Sequence, residues 1–289
     1  MKISSLFGQG KTVFSFDIFP PKKTSSVETI YETLEELKGL NPDFISVTYG
    51  AGGTMTSAGH SKTCEIASII KNKYNLIPVA HLTCVNSTKE QVEAELKSLK
   101  EHGIENILAL RGDINPDVPP CNDFKYASDL VHFIREYGDF NVSGACYPEG
   151  HADTEDKIQD ILNLKTKIDA GVTHLMSQLF FDNSYFYDFR EKARLAGINV
   201  PIEAGIMPVT NKSQIERMVT MCGASLPQKL VKIMQRFENS PEDLKKAGID
   251  YAIDQIVDLI SKGVDGIHLY TMNNPMVARK ISEAIGSLL

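Results

Sequence analysis

Asp17, in the run FDIFPP, is a carboxylate set among apolar neighbours. Taking such a charge out of water is costly unless it is hydrogen-bonded, paired or protonated, so the residue suits either a general acid with a raised pKa or a structural bond to backbone. LALRGD closes on Arg111, Gly112 and Asp113, where the glycine would let a ligand approach the backbone while the guanidinium meets a diphosphate. A surface ion pair is the plainer use of the same residues. His81 and Cys84 in HLTC are metal-ligating types without companions at a suitable spacing, so no metal is expected and His81 reads as a hydrogen-bonding group. The glycines of TYGAGG match neither GxGxxG nor a P-loop, which leaves Thr48, just before them, as the better-placed polar group.

Further along, Gln178 precedes Phe180, Phe181, Tyr185, Phe186, Tyr187 and Phe189. Helical spacing assigns about half of these rings to a core, and one or two at a site mouth would suit a flat heteroaromatic ligand. Asp160, Asn163 and Lys167 share one helical face, fit for an extended polar ligand or equally for solvent.

The elements that must position these groups alternate along the chain. Strands are predicted near 13–19, 44–49, 77–82, 106–111, 141–147, 174–178, 201–206 and 266–271, with amphipathic helices such as 26–38, 89–102 and 154–170 between them. Eight βα units imply a (β/α)8 TIM barrel, an α/β fold, as one catalytic domain over residues 1–289; an open doubly wound sheet is the rival. Strand alternation then sends Ser15 and Asp17, Ser46 and Thr48, Arg111 and Asp113, Ser143 and Tyr147, His174 and Gln178, and His268 and Tyr270 into the lumen. Two connections are long. Residues 113–124 follow strand four on what would be the catalytic face, and residues 222–262 hold two extra helical patterns.

The 289 residues are 42% hydrophobic and 23% charged, with no apolar run long enough to span a membrane and no secretory signal pattern, so a cytoplasmic location is expected. A net charge of −7 opposes broad attraction to nucleic acid or an anionic membrane, which points to a small-molecule partner. Five cysteines without a CxxC pair read as inert thiols.

Taken in order, FDIFPP, SVTYGA, HLTC, LALRGD, YASDL, ACYPEGH, DILNLKTKIDAG, SQLFFD, GIMPVTN and HLYTMNN resemble the methylenetetrahydrofolate reductase family of flavin-dependent barrels, in its bacterial, barrel-only form. The resemblance implies that bound FAD takes hydride from NAD(P)H or another donor and passes it to methylenetetrahydrofolate, giving methyltetrahydrofolate. By motif it assigns Thr48, His81, Leu110, Arg111, Gly112, Asp113, Tyr126, Ala127, Tyr147, His151, Asp160, Asn163 and Lys167 to FAD, and Asp17, Gln178 and Tyr270 to the folate. Asp17, Asp113 and Gln178 become the catalytic set. A homo-oligomer is expected, and an accessory redox protein is compatible with the pattern. The chain departs from the family at Asp17, where Glu is usual, at Asn274, where Arg is common, and near Met218, where an aromatic is common. A catalytically silent flavin- or folate-binding subunit, or a cofactor-free barrel lyase or folate methyltransferase, would use the same rim.

Overall fold

A computed structural model describes residues 1–21, 28–49, 61–114, 121–154 and 156–289. Eight parallel strands close into a barrel in sequential order: β1 Val13–Ile18, β2 Phe44–Val47, β3 Pro78–Thr83, β4 Asn106–Leu110, β5 Asn141–Cys146, β6 His174–Ser177, β7 Ile202–Ile206 and β8 Gly266–Leu269. β1 pairs with β8 as well as with β2, so the sheet has no free edge. The open-sheet alternative is thereby excluded.

The closure explains the sequence pattern. Outward residues such as Phe16, Ile45, Ala80, Ile107, Val142, Leu175, Ala204 and Ile267 join the main core with the helices that cover the barrel. Those helices start where the side chains can satisfy free backbone N–H groups: Thr88 and Gln91 form a reciprocal cap on α3 (Lys89–Glu101), and Asn211 caps α7 (Lys212–Cys222) through Gln214 N. The remaining helices are α1 Glu28–Lys38, α2 Lys62–Asn72, α4 Ala127–Tyr137, α5 Lys157–Asp169, α6 Asn183–Leu195, α8 Gln228–Arg236, α9 Pro241–Ser261 and α10 Pro275–Ile285. The two extra helical patterns expected before the last strand are α8 and α9. They enclose a second core built on Met207, Val209, Leu230, Met234 and Leu244. No described helix is long and apolar enough to cross a membrane.

The amino-terminal end of the barrel is plugged. Ile3 N donates to Asn106 Oδ1 at 2.9 Å, Ser4 N donates to Asn141 Oδ1 at 3.0 Å, and the Phe7 ring stacks on His174 with centroids 4.6 Å apart. Asn106 and Asn141 open their strands, so these bonds tie the first residues of the chain across the bottom of the barrel. Ligand access is therefore left to the carboxyl end, where barrel enzymes carry their chemistry.

Candidate active site

Asp17 stands near the end of β1, 1% exposed. Its Oδ1 accepts a 2.6 Å bond from Thr271 N, while Oδ2 is buried with no hydrogen-bond partner among the described residues. Burial raises its pKa to about 7, against the smaller opposing effect of the Thr271 bonds. Both readings of the sequence thus meet in one residue: one oxygen is structural, and the other can keep a proton near neutrality. The loop that supplies Thr271 is itself held to β1. Asn273 Oδ1 accepts from Phe19 N and its amide donates to Phe19 O, at 2.8 and 2.9 Å. Met272 and Asn273 both adopt left-handed backbone, at φ 51° and 55°, a conformation sustained by these cross-strand bonds.

Below Asp17 the lumen holds a buried polar chain. Ser15 Oγ donates to Glu203 Oε1 at 2.9 Å and lies 2.7 Å from His268 Nδ1; Ser143 Oγ lies 3.0 Å from His174 Nδ1. His174 Nε2 and Glu203 Oε2 approach to 2.9 Å, but out of hydrogen-bond alignment, since neither atom has a bonded partner. Glu203 is fully buried and was missed from sequence. Its signal was the one that exposed Asp17: a lone carboxylate in an apolar strand, IEAGI. Parity correctly placed Ser15, Ser143, His174 and His268 in the lumen.

Parity fails at β4. Leu108 and Leu110 pack into the lumen cluster while Ile107 and Ala109 face the helices, so Arg111 and Asp113 do not continue an inward set. The strand ends at Leu110, and Gly112 turns the chain at φ 88°. A Cβ there would come within 3.0 Å of Thr83, so the position requires glycine on two counts. Arg111 reaches instead over the rim, where Nη2 donates to Asp153 Oδ2 at 2.7 Å and Nε is buried with no partner among the described residues. Asp113 is exposed, close enough for its charge to raise the Tyr147 hydroxyl and the Cys222 thiol, although burial is the larger cause for both.

Arg111 belongs to a polar cluster along the loop after β5 and α5. His151 N donates to Asp160 Oδ2, Asp153 N donates to His151 Nδ1, and Tyr147 packs edge-on against His151 at 4.5 Å. Lys167 Nζ donates to Ala145 O at 2.8 Å, and burial lowers its pKa. His81 Nε2 is buried without a partner among the described residues, and burial lowers its pKa to about 4, which keeps the ring neutral. Thr48 follows directly after β2, its carbonyl accepting from Thr63 Oγ1 at 3.0 Å. Leu110 pairs in register with Thr83. Ala127 is buried at the start of α4, whereas Tyr126, its N-cap, is exposed. Asn163 is exposed and its Oδ1 accepts from Gln159, so α5 turns Asp160 and Lys167 toward the barrel more fully than Asn163.

On the opposite side, Gln178 Oε1 accepts from Leu179 N at 2.9 Å, which fixes the orientation of the amide. The Tyr270 hydroxyl donates to Ser177 O at 2.9 Å and its ring meets His268 edge-on at 5.2 Å. Of the six aromatics after Gln178, Phe180, Phe181, Phe186 and Phe189 are core, and the Tyr187 hydroxyl is taken by Asp258. The expected core share of about half is thus four of the six, with Phe186 and Phe189 buried from α6 and Phe180 and Phe181 from the segment before it. The TYGAGG glycines and residues 115–120 of the loop after β4 lie outside the described residues. Among the described residues no cluster of ligating side chains could hold a metal.

A closed parallel barrel with Asp17 near the carboxyl end of β1, and with Arg111, Asp113 and His151 on the loops that follow β4 and β5, defines a (β/α)8-barrel enzyme. The chain belongs to the methylenetetrahydrofolate reductase family, whose pattern it matches over residues 2–286. It is 36% identical over 283 residues to the 5,10-methylenetetrahydrofolate reductase of Pectobacterium carotovorum, covering 96% of this chain and 91% of that one. It is 34% identical over 278 residues to the enzyme of that name from Escherichia coli, covering 96% and 92%. Among solved structures it resembles in fold an uncharacterized protein from Clostridium thermocellum that binds two copies of 5-methyl-5,6,7,8-tetrahydrofolic acid, with a TM-score of 0.63 at 16% identity over 96% of each chain.

Proposed function

We propose that this chain reduces 5,10-methylenetetrahydrofolate to 5-methyltetrahydrofolate in the cytoplasm, by ping-pong hydride transfer through FAD from NAD(P)H or another reduced donor. The residues present fit the cofactor. Arg111 Nε and His81 Nε2 are buried with no partner among the described residues, and Gly112 leaves backbone open where a side chain would clash. Arg111, Lys167 and His151 would hold the diphosphate and its neighbours. Asp160, Asn163, Tyr126, Ala127, Tyr147, Leu110 and Gly112 would line the rest of the nucleotide, with Thr48 and His81 toward the ring. When bound, the flavin supplies the hydride chemistry that amino-acid side chains lack.

The chain's own residues handle charge and protons. Asp113, an exposed carboxylate at the rim, would favour the cationic one-carbon iminium formed as the folate's five-membered ring opens, and would disfavour negative charge on the reduced cofactor. Gln178 and Tyr270 would orient the folate. Because the Tyr270 hydroxyl is donated to Ser177 O, the tyrosine serves through its ring and its oxygen lone pair and not as an acid. The acid is Asp17, whose unpartnered Oδ2 holds a proton near pH 7 and would release it to the departing ring nitrogen. This carboxyl is the observation that carries the proposal.

The test is the visible spectrum of the purified protein, followed by anaerobic rapid mixing of each half-reaction. We expect a flavin spectrum, bleaching by a reduced nicotinamide or other donor, and re-oxidation by methylenetetrahydrofolate. Asp17→Asn should slow the second half-reaction about 10²-fold while the first stays within a few-fold, and Asp17→Glu should retain substantial activity. A colourless protein that FAD cannot reconstitute would overturn the reading; bound FAD without turnover would reassign the chain as a binding subunit.

A further inference from the structure

Asp17 and Ser46 are register partners on β1 and β2, and both point into the lumen. Strands in a sheet lie ~4.8 Å apart, so the two side chains are immediate neighbours. Both are buried, at 1% and 0% exposure, and Asp17 Oδ2 and Ser46 Oγ each lack a hydrogen-bond partner among the described residues. A buried polar atom left unsatisfied is costly, so each calls for a partner. Of the polar groups around them, Ser15 is engaged with Glu203 and His268, the Thr271 hydroxyl with Asp17 O and the Tyr270 hydroxyl with Ser177 O, while His81 Nε2 on β3 is the further buried atom without a partner among the described residues. Asp17 cannot swing to close the gap, because Oδ1 is held by Thr271 N. Two neighbouring unpartnered atoms, one a carboxyl oxygen and one a hydroxyl, are a two-point anchor for a single small molecule that both donates and accepts.

We propose that Ser46 is a positioning residue for the proton step, holding with Asp17 Oδ2 one water molecule that carries the proton from the carboxyl to the folate. The inference rests on the reductase reading above. In the step, the Asp17 O–H bond breaks and its proton passes to the water oxygen. A proton of that water passes in turn to the ring nitrogen as the nitrogen's bond to the one-carbon unit breaks, the electron pair staying on nitrogen. The water is unchanged, Asp17 is left as carboxylate, and the one-carbon unit as the cationic iminium. Ser46 Oγ accepts from the water or donates to it, which fixes where the water sits without exchanging a proton itself. The titratable groups facing this pair are His268 from β8 and Tyr270 just after it, His81 from β3 and, through Ser15, Glu203 from β7.

Ser46→Ala and Ser46→Thr in the FAD-loaded protein test this. We expect Ser46→Ala to slow the folate half-reaction about 10-fold with the donor half-reaction within two-fold, and to move the alkaline fall of the folate step to higher pH, because the carboxylate loses a hydrogen-bonded partner. Ser46→Thr, which keeps the hydroxyl, should restore both. Infrared titration of the Asp17 carbonyl stretch, identified by its loss in Asp17→Asn, should show the same upward shift in Ser46→Ala without any turnover. Unchanged folate kinetics and an unmoved carbonyl titration in Ser46→Ala would overturn the inference, as would equal slowing of both half-reactions or failure of threonine to rescue. A wild-type protein with no folate half-reaction would overturn the reductase reading instead, and the infrared titration would still decide whether Ser46 and Asp17 share a bound water.

Discussion

Asp17 and Thr271 hold each other through two bonds across 254 positions of sequence: the Thr271 amide donates to the Asp17 carboxylate at 2.6 Å, and the Thr271 hydroxyl donates to the Asp17 carbonyl at 2.7 Å. Each residue therefore fixes the other's backbone as well as its side chain. The carboxyl group is presented on a closed seam between the first and last strands, with one oxygen committed and one without a partner among the described residues.

That arrangement makes stability depend on pH. The folded-state pKa of Asp17, about 7, lies above its ordinary value of 3.8, so between these values the native state binds more protons than the unfolded chain. This stabilising contribution is complete below pH 3.8 and is lost as pH rises through 7, by up to roughly 4 kcal/mol in all. Asp17→Asn keeps the oxygen that accepts from Thr271 and has no charge to lose. Its melting temperature relative to wild type should climb between pH 5 and pH 8; a constant difference across that range would show that Asp17 titrates normally.

Asp113 is exposed at the rim beside the proposed flavin. Replacing it with Asn removes a negative charge that opposes added electron density, so the midpoint potential should rise. Spectroelectrochemical titration of both proteins measures this, and an unchanged or lower potential in Asp113→Asn would separate the carboxylate from the cofactor.

Gly205 lies on β7 directly under Tyr270. A methyl group there would run into the Ser177 carbonyl and come within 2.8 Å of the Tyr270 ring. The carbonyl belongs to a strand and cannot yield cheaply, so Gly205→Ala should lower stability by about 1–3 kcal/mol and displace Tyr270. The kinetic mark is a raised KM for the folate with donor oxidation little changed. A folded variant with wild-type folate KM would remove Tyr270 from substrate binding.

Glu203 accepts from Ser15 and stands 2.9 Å from His174, all three fully buried. Glu203→Ala leaves Ser15 without this acceptor, removes the carboxylate beside His174 and opens a cavity, which should cost about 3 kcal/mol or more in denaturant unfolding. Glu203→Gln keeps the volume and one acceptor and should cost less. Equal, small losses for both would mean that the lumen chain is not coupled through Glu203.

Residue order alone determined the alternation of strands and helices and singled out most of the polar residues at the barrel rim. Alternating βα units specify strands to within two residues at either end, because a strand buried on both faces and an amphipathic helix impose different apolar periods on the chain. The same logic singled out Asp17, since a carboxylate among phenylalanine, isoleucine and proline has few bland uses. Tertiary structure decided what periodicity cannot express. Barrel closure follows from β1 pairing with β8, a contact between the two ends of the chain that no local pattern encodes. The direction of Arg111 depends on where β4 stops and Gly112 turns, and side-chain alternation has no meaning beyond that point. The division of Asp17 into one anchored and one unpartnered oxygen depends on Thr271, brought within 2.6 Å only when the last strand docks against the first.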